Sequence, residues 1–288
     1  MMQTNLRLLA VGSNPLVAAE LHHILRSILS FKIPIAEAET KDIKTAKPDI
    51  FYICANTQGT ALSKFIPANR LFVFDLTPTT KFFLDIAKIP AGESVLVFNN
   101  LPEYAELLIR KCHELGINKL NFKPAAYEEL PTAILQEKLS AARYIIGVEA
   151  FTGTAVLQSE KYKSSLRPDV KIISGQRTAS VASANRLLLA ISEYYYLAFS
   201  ATAAKLAKEQ GQTTSLKELS QHLDKLINGL QKSVLQTVTL QITGGQNQAN
   251  KHDREIEIKT CTAATYSTIK MQLEQLEFLK EKISRLTH

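Results

Sequence analysis

The chain has 288 residues, 45% hydrophobic and 21% charged, typical of a soluble globular protein long enough for two domains or for one with an appendage. No apolar run approaches the roughly 20 residues that cross a bilayer, and the opening MMQTNLRLLAVGSN lacks the apolar core and small-residue cleavage site of a signal peptide. The net charge of +7 is spread evenly, four charges over residues 1–204 and three over 205–288, without a Lys/Arg run; this describes a solvated surface rather than a nucleic-acid footprint.

Residues 7–11 read as a first strand closed by Gly12, Ser13, Asn14 and Pro15. Leu16, Val17, Leu21, Ile24, Leu25 and Ile28 follow at helical spacing. Three more strands are predicted over 33–38, 49–54 and 70–76, the last two ending in Ala55-Asn56-Thr57 and in Asp75 before Thr77-Pro78-Thr79-Thr80. Thr79 or Thr80 can cap a helix over 82–89. This order is similar to a response-regulator receiver. The acidic pair and the phosphorylatable Asp of a receiver are replaced by Gly12-Ser13-Asn14 and Ala55-Asn56-Thr57, so phosphoryl acceptance is not expected.

Residues 89–123 form the most clearly marked unit. Ser94 to Phe98 is a short apolar run suited to a strand covered on both faces. Asn99, Asn100 and Pro102 break it, and an Asn can cap the helix that Pro opens. Tyr104, Leu107, Leu108, Cys112 and Leu115 recur at helical spacing, Gly116 marks a left-handed stop, and residues 117–122 read as the next strand. A crossover of this length joins parallel strands, whose carboxyl ends bind ligands. A helix over 127–142, strands over 143–148 and 169–173, and a short segment at 151–157 continue the lobe. Its polar strand ends are Lys123-Pro124, Glu149 and Ser174 to Thr178.

From Ala179 the period becomes helical. One long helix is predicted over 179–210, and another over 216–230 behind a capping box of Ser215 and Glu218. Alternation over 234–243 and 254–260 predicts a β-hairpin across 234–260, with a frayed helical linker as the alternative. Ile269, Leu273, Leu276, Leu279, Ile283 and Leu286 give the helix over 265–286 an apolar seam. The expected fold class is therefore α/β. Two Rossmann-like or flavodoxin-like lobes with parallel sheets, residues 1–90 and 91–178, form a clamshell, and a mainly helical segment, 179–288, follows.

Catalytic and metal constellations are absent from the sequence: His22, His23, His113, His222, His252 and His288 lack metal-ligand spacing. No GxSxG elbow, dinucleotide loop or P-loop occurs, and neither a metal nor a cofactor is expected. Cys54, Cys112 and Cys261 read as free thiols, pointing to the cytoplasm. Asp75 and Glu149 at strand ends permit an acid/base reading, an enzyme of unknown reaction, against the plainer one of capping or ligand contact. Arg177 and Thr178 lie where the last sheet strand hands over to the long helix, where an Arg can grip a carboxylate or phosphate beside helix N–H groups, against the plainer reading of a helix-capping Thr beside an Arg paired with a structural carboxylate. The expected ligand-binding set is Ser13, Asn14, Asn56, Thr79, Thr80, Asn99, Asn100, Glu149, Arg177 and Thr178.

Residues 89–123, with Pro78-Thr79-Thr80, the run Tyr144 to Glu149, and Arg177 to Ser180, resemble the N-terminal effector-sensing region of bacterial enhancer-binding transcriptional regulators, the group that includes propionate-catabolism regulators. The string IPAGESVLVFNN…ELGI carries the likeness. It implies a two-lobed α/β module over roughly residues 5–200 that binds a small effector. No Walker A motif, ATPase-length region or convincing DNA-binding helix accompanies it, so the resemblance implies a sensor rather than an activator.

The expected protein is thus a non-enzymatic regulator. It binds a small polar or anionic metabolite between its lobes and relays that through its C-terminal helices. Its partners would be the effector, a component of the transcription machinery, and a second copy through Leu276, Leu279, Ile283 and Leu286, with docking of that seam on the chain's own core as the alternative. No membrane is expected. A DNA-binding repressor acting through 214–288 is the remaining alternative, from the faint helix-turn-helix look of 214–223.

Overall fold

The computed structural model describes residues 6–209, 212–243 and 251–286; along 241–243 and most of 251–268 it describes the backbone alone. The chain divides into two compact units. The first takes Met1–Leu76, Ala179–Gln241 and the last helical segment. The second takes Thr77–Thr178 and three residues at Ile242–Gly244. The seam expected after residue 90 lies instead between Leu76 and Thr77, because the helix over Thr80–Ala87 packs against a strand of the second sheet. The trailing helices, expected as a separate segment, group with the first unit.

The first unit opens with β1 (Arg7–Gly12), α1 (Pro15–Ile28), β2 (Ile35–Glu39), β3 (Ile50–Ala55), α2 (Asn56–Leu62) and β4 (Leu71–Phe74). The strands form a parallel sheet in the order β2-β1-β3-β4. Pro15 fixes the first turn of α1, and Asn14 Oδ1 accepts the Val17 N–H at 3.1 Å. Val17, Leu21, Ile24, Leu25 and Ile28 then face the core. Val11, Tyr52, Cys54, Leu62 and Ile66 pack together in a second cluster.

The chain enters the second unit through β5 (Leu76–Pro78) and α3 (Thr80–Ala87). There follow β6 (Ser94–Asn99), α4 (Pro102–Glu114), β7 (Asn121–Ala126), α5 (Thr132–Ala141), β8 (Tyr144–Val148), the single turns α6 (Glu149–Thr152) and α7 (Glu160–Lys163), and β9 (Lys171–Gly175). Their sheet is parallel, in the order β7-β6-β8-β9. Counted from the first strand of each lobe, both sheets run second, first, third, fourth. The α/β reading with two parallel, Rossmann-like sheets therefore holds. The strand expected over 117–122 begins only at Asn121: Gly116 stops α4 at φ +78° and the Ile117 N–H still bonds back to Cys112.

β10 (Arg177–Ala179) pairs with β5, so the outgoing and returning chains run side by side. Three long helices complete the first unit: α8 (Val181–Leu206), α9 (Thr213–Thr243) and α10 (Lys251–Arg285). Ser180 Oγ accepts the Ser183 N–H to cap α8, which packs against β4 and α10. By length and mean hydropathy, 1.2 over its best window, α8 could cross a membrane, which the run-length reading of the sequence did not register; 39% of that window is buried inside the protein.

The hairpin predicted across 234–260 is overturned, since α9 runs through Thr243 and α10 begins at Lys251. The alternation was real but Val234 and Val238 also lie four apart, both buried, and the hydroxyls of Ser233 and Thr237 bond back to the carbonyls of Gly229 and Ser233. Packing decides between the two periods. The residues that suggested a helix-turn-helix, 214–223, are the opening of this one unbroken helix. The capping box is likewise replaced. The helix starts earlier, at Thr213, and Ser215 Oγ donates to Gln212 Oε1 at 3.0 Å.

α9 docks on the turn after α1. Ser233 Oγ accepts the Ser30 N–H at 2.9 Å while donating to Gly229 O at 2.8 Å, and a Cβ on Gly229 would lie 2.9 Å from Phe31. Ser233→Ala leaves the Ser30 N–H without its acceptor, so the urea midpoint should fall by the equivalent of about 1–3 kcal/mol. An unchanged midpoint would show that this joint contributes nothing.

The seam of α10 is covered from within. Ile269, Leu273, Leu276, Leu279 and Ile283 are buried, Lys280 pairs with Asp224 of α9, and only Leu286 at the end of the seam is exposed. Three of the four residues expected at a homodimer interface, Leu276, Leu279 and Ile283, are thus already packed against their own chain. Apolar spacing alone does not distinguish the two kinds of cover.

Candidate functional site

In each lobe the strand order reverses beside the first strand. That places a crevice at the carboxyl ends of β1 and β3, and another at those of β6 and β8. The two lobes repeat the same turn there. A strand ends, two residues follow, and a Pro opens the helix: Gly12-Ser13-Asn14-Pro15 in one, Asn99-Asn100-Leu101-Pro102 in the other.

The first turn is closed on itself. Asn14 is taken up as the cap of α1, and Ser13 is exposed. Thr40 Oγ1 lies 3.1 Å from Gly12 O and 2.8 Å from Gln58 Oε1, tying the ends of β1, β2 and β3 together. Exposed Asn56 directs Nδ2 to Asp75 Oδ1 at 3.4 Å. The Asp75 main chain joins β4 to α8: its N–H donates to Ser183 Oγ at 3.0 Å and its carbonyl accepts the Ser180 N–H at 2.8 Å. These are capping and joining roles.

The second turn is built differently. Asn99 is buried and its Oδ1 accepts the Asn100 N–H at 2.7 Å. Asn100 is 8% exposed, and its carboxamide makes no hydrogen bond among the described residues. The cap position of α4 falls to Leu101, not to an Asn as the sequence suggested, and Leu101 offers no side-chain acceptor. The Arg177 guanidinium lies 4.7 Å from the centroid of the Tyr104 ring in the first turn of α4. Buried Thr79 precedes α3, again without a side-chain cap, and its N–H donates to Gln176 O at 3.1 Å; Thr80 is exposed. Two uncapped helix starts therefore border the dipeptide Gln176-Arg177.

Arg177 and Thr178 do not act together. Alternation along β10 sends neighbouring side chains to opposite faces. Arg177 is half-buried on Tyr104, whereas Thr178 is buried with its Oγ1 unbonded among the described residues. Glu149 is exposed at the end of β8, opening α6. Among the ten sequence-predicted residues, Thr79, Thr80, Asn99, Asn100, Glu149, Arg177 and Thr178 belong to the second unit and Ser13, Asn14 and Asn56 to the first. Sequence reasoning missed Leu101, Tyr104 and Gln176. The one available signal was a Leu standing immediately before a helix-opening Pro.

Among the described residues, no group of three or more His, Cys, Asp or Glu could hold a metal ion. Cys54 and Cys112 are buried free thiols, pushed by burial up to about 12 and about 11. An unfolded thiol titrates near 8.5, so the unfolded chain loses these protons first. Their contribution to stability is complete below about pH 8.5 and is lost as pH rises towards 11 and 12. The unfolding midpoint of the native chain should drop between pH 9 and 11 more steeply than that of a Cys54→Ala/Cys112→Ala variant. Equal slopes would contradict this.

No protein-family model matches the chain, and neither a curated protein nor a solved structure does.

Proposed function

We propose that the chain is a non-enzymatic, ligand-sensing regulator that binds a small polar or anionic metabolite at the carboxyl ends of its parallel strands. One observation carries this reading: the second-lobe switch point gathers Asn99, Asn100 and two helix starts without side-chain caps, with the Arg177 guanidinium over the Tyr104 ring beside them. Helix starts without a side-chain cap suit a carboxylate or phosphate oxygen. The resemblance of residues 89–123 to effector-sensing regions supports the same reading. Arg177 stands three residues before Ser180, the cap of α8, so a ligand held there bears on the start of the helix that packs with α10. That is a route from binding to the helical part of the first unit.

Thermal shift against a panel of organic acids, nucleotides and sugars tests the reading. A ligand at a hundred times its Kd stabilises the folded state by about 2.7 kcal/mol, an upward shift of several degrees in a chain of this size. Flat melting temperatures across the panel would overturn it.

A further inference from the structure

We draw no further inference here: the strongest candidate, the outward face of α10 on which Met271 and Phe278 stand exposed two turns apart, carries none because nothing in the structure shows what covers it.

Discussion

Leu276→Ala should lower stability by about 2–5 kcal/mol in urea unfolding followed by far-ultraviolet circular dichroism. Leu276 is fully buried at the centre of the α10 seam, between Leu273 and Leu279. Removing its side chain loses the transfer free energy of three carbons and leaves a hole that the long, stiff helices on either side close only in part. The alternative is that the seam is a weakly held face awaiting a second copy. In that case the loss would stay below about 1 kcal/mol in dilute protein and would depend on concentration.

Gly147→Ala sets two effects of opposite sign against each other in the second unit. Alanine restricts the unfolded chain and normally gains about 0.4–1 kcal/mol where the backbone accepts it. Here the added Cβ would stand 2.3 Å from the Phe98 carbonyl oxygen on β6 and 2.8 Å from Thr152 Cγ2. One of those neighbours is backbone and cannot turn aside. The other is held by its hydroxyl, which lies 3.0 Å from Val148 O and 2.8 Å from Ser174 Oγ. Overpacking at about 1–3 kcal/mol or more therefore wins, and the melting temperature should fall. A variant as stable as the native chain would mean that β8 sits further from β6 than the structure places it.

The parallel sheets were legible because each strand is a short apolar run stopped by Gly, Pro or Asn, and each crossover helix shows a clean period. Residues 94–98 followed by Pro102 state both at once. Residues 234–243 failed the same method: four apolar positions fit period two and three of them, Val234, Val238 and Ile242, fit period four equally well, and only burial on the first lobe chooses. Within the site, residue types were legible and their use was not. Asn14, Asn99 and Asn100 look alike in the sequence, yet one caps a helix, one braces its neighbour's N–H, and one is left without a bond. Partnering of that kind is decided by side chains that come from distant parts of the chain.

The pairing of β5 with β10 makes Thr77–Thr178 an insertion whose two ends leave the first unit together. On the ribosome, β4 emerges long before α8, the helix that covers it. The inserted lobe has every strand of its own sheet by then and can finish first. The half-made outer lobe must keep its apolar sheet face out of trouble for the whole of that interval, so a chaperone that binds the nascent chain should hold residues upstream of Leu76 and let go once α8 to α10 have been synthesised.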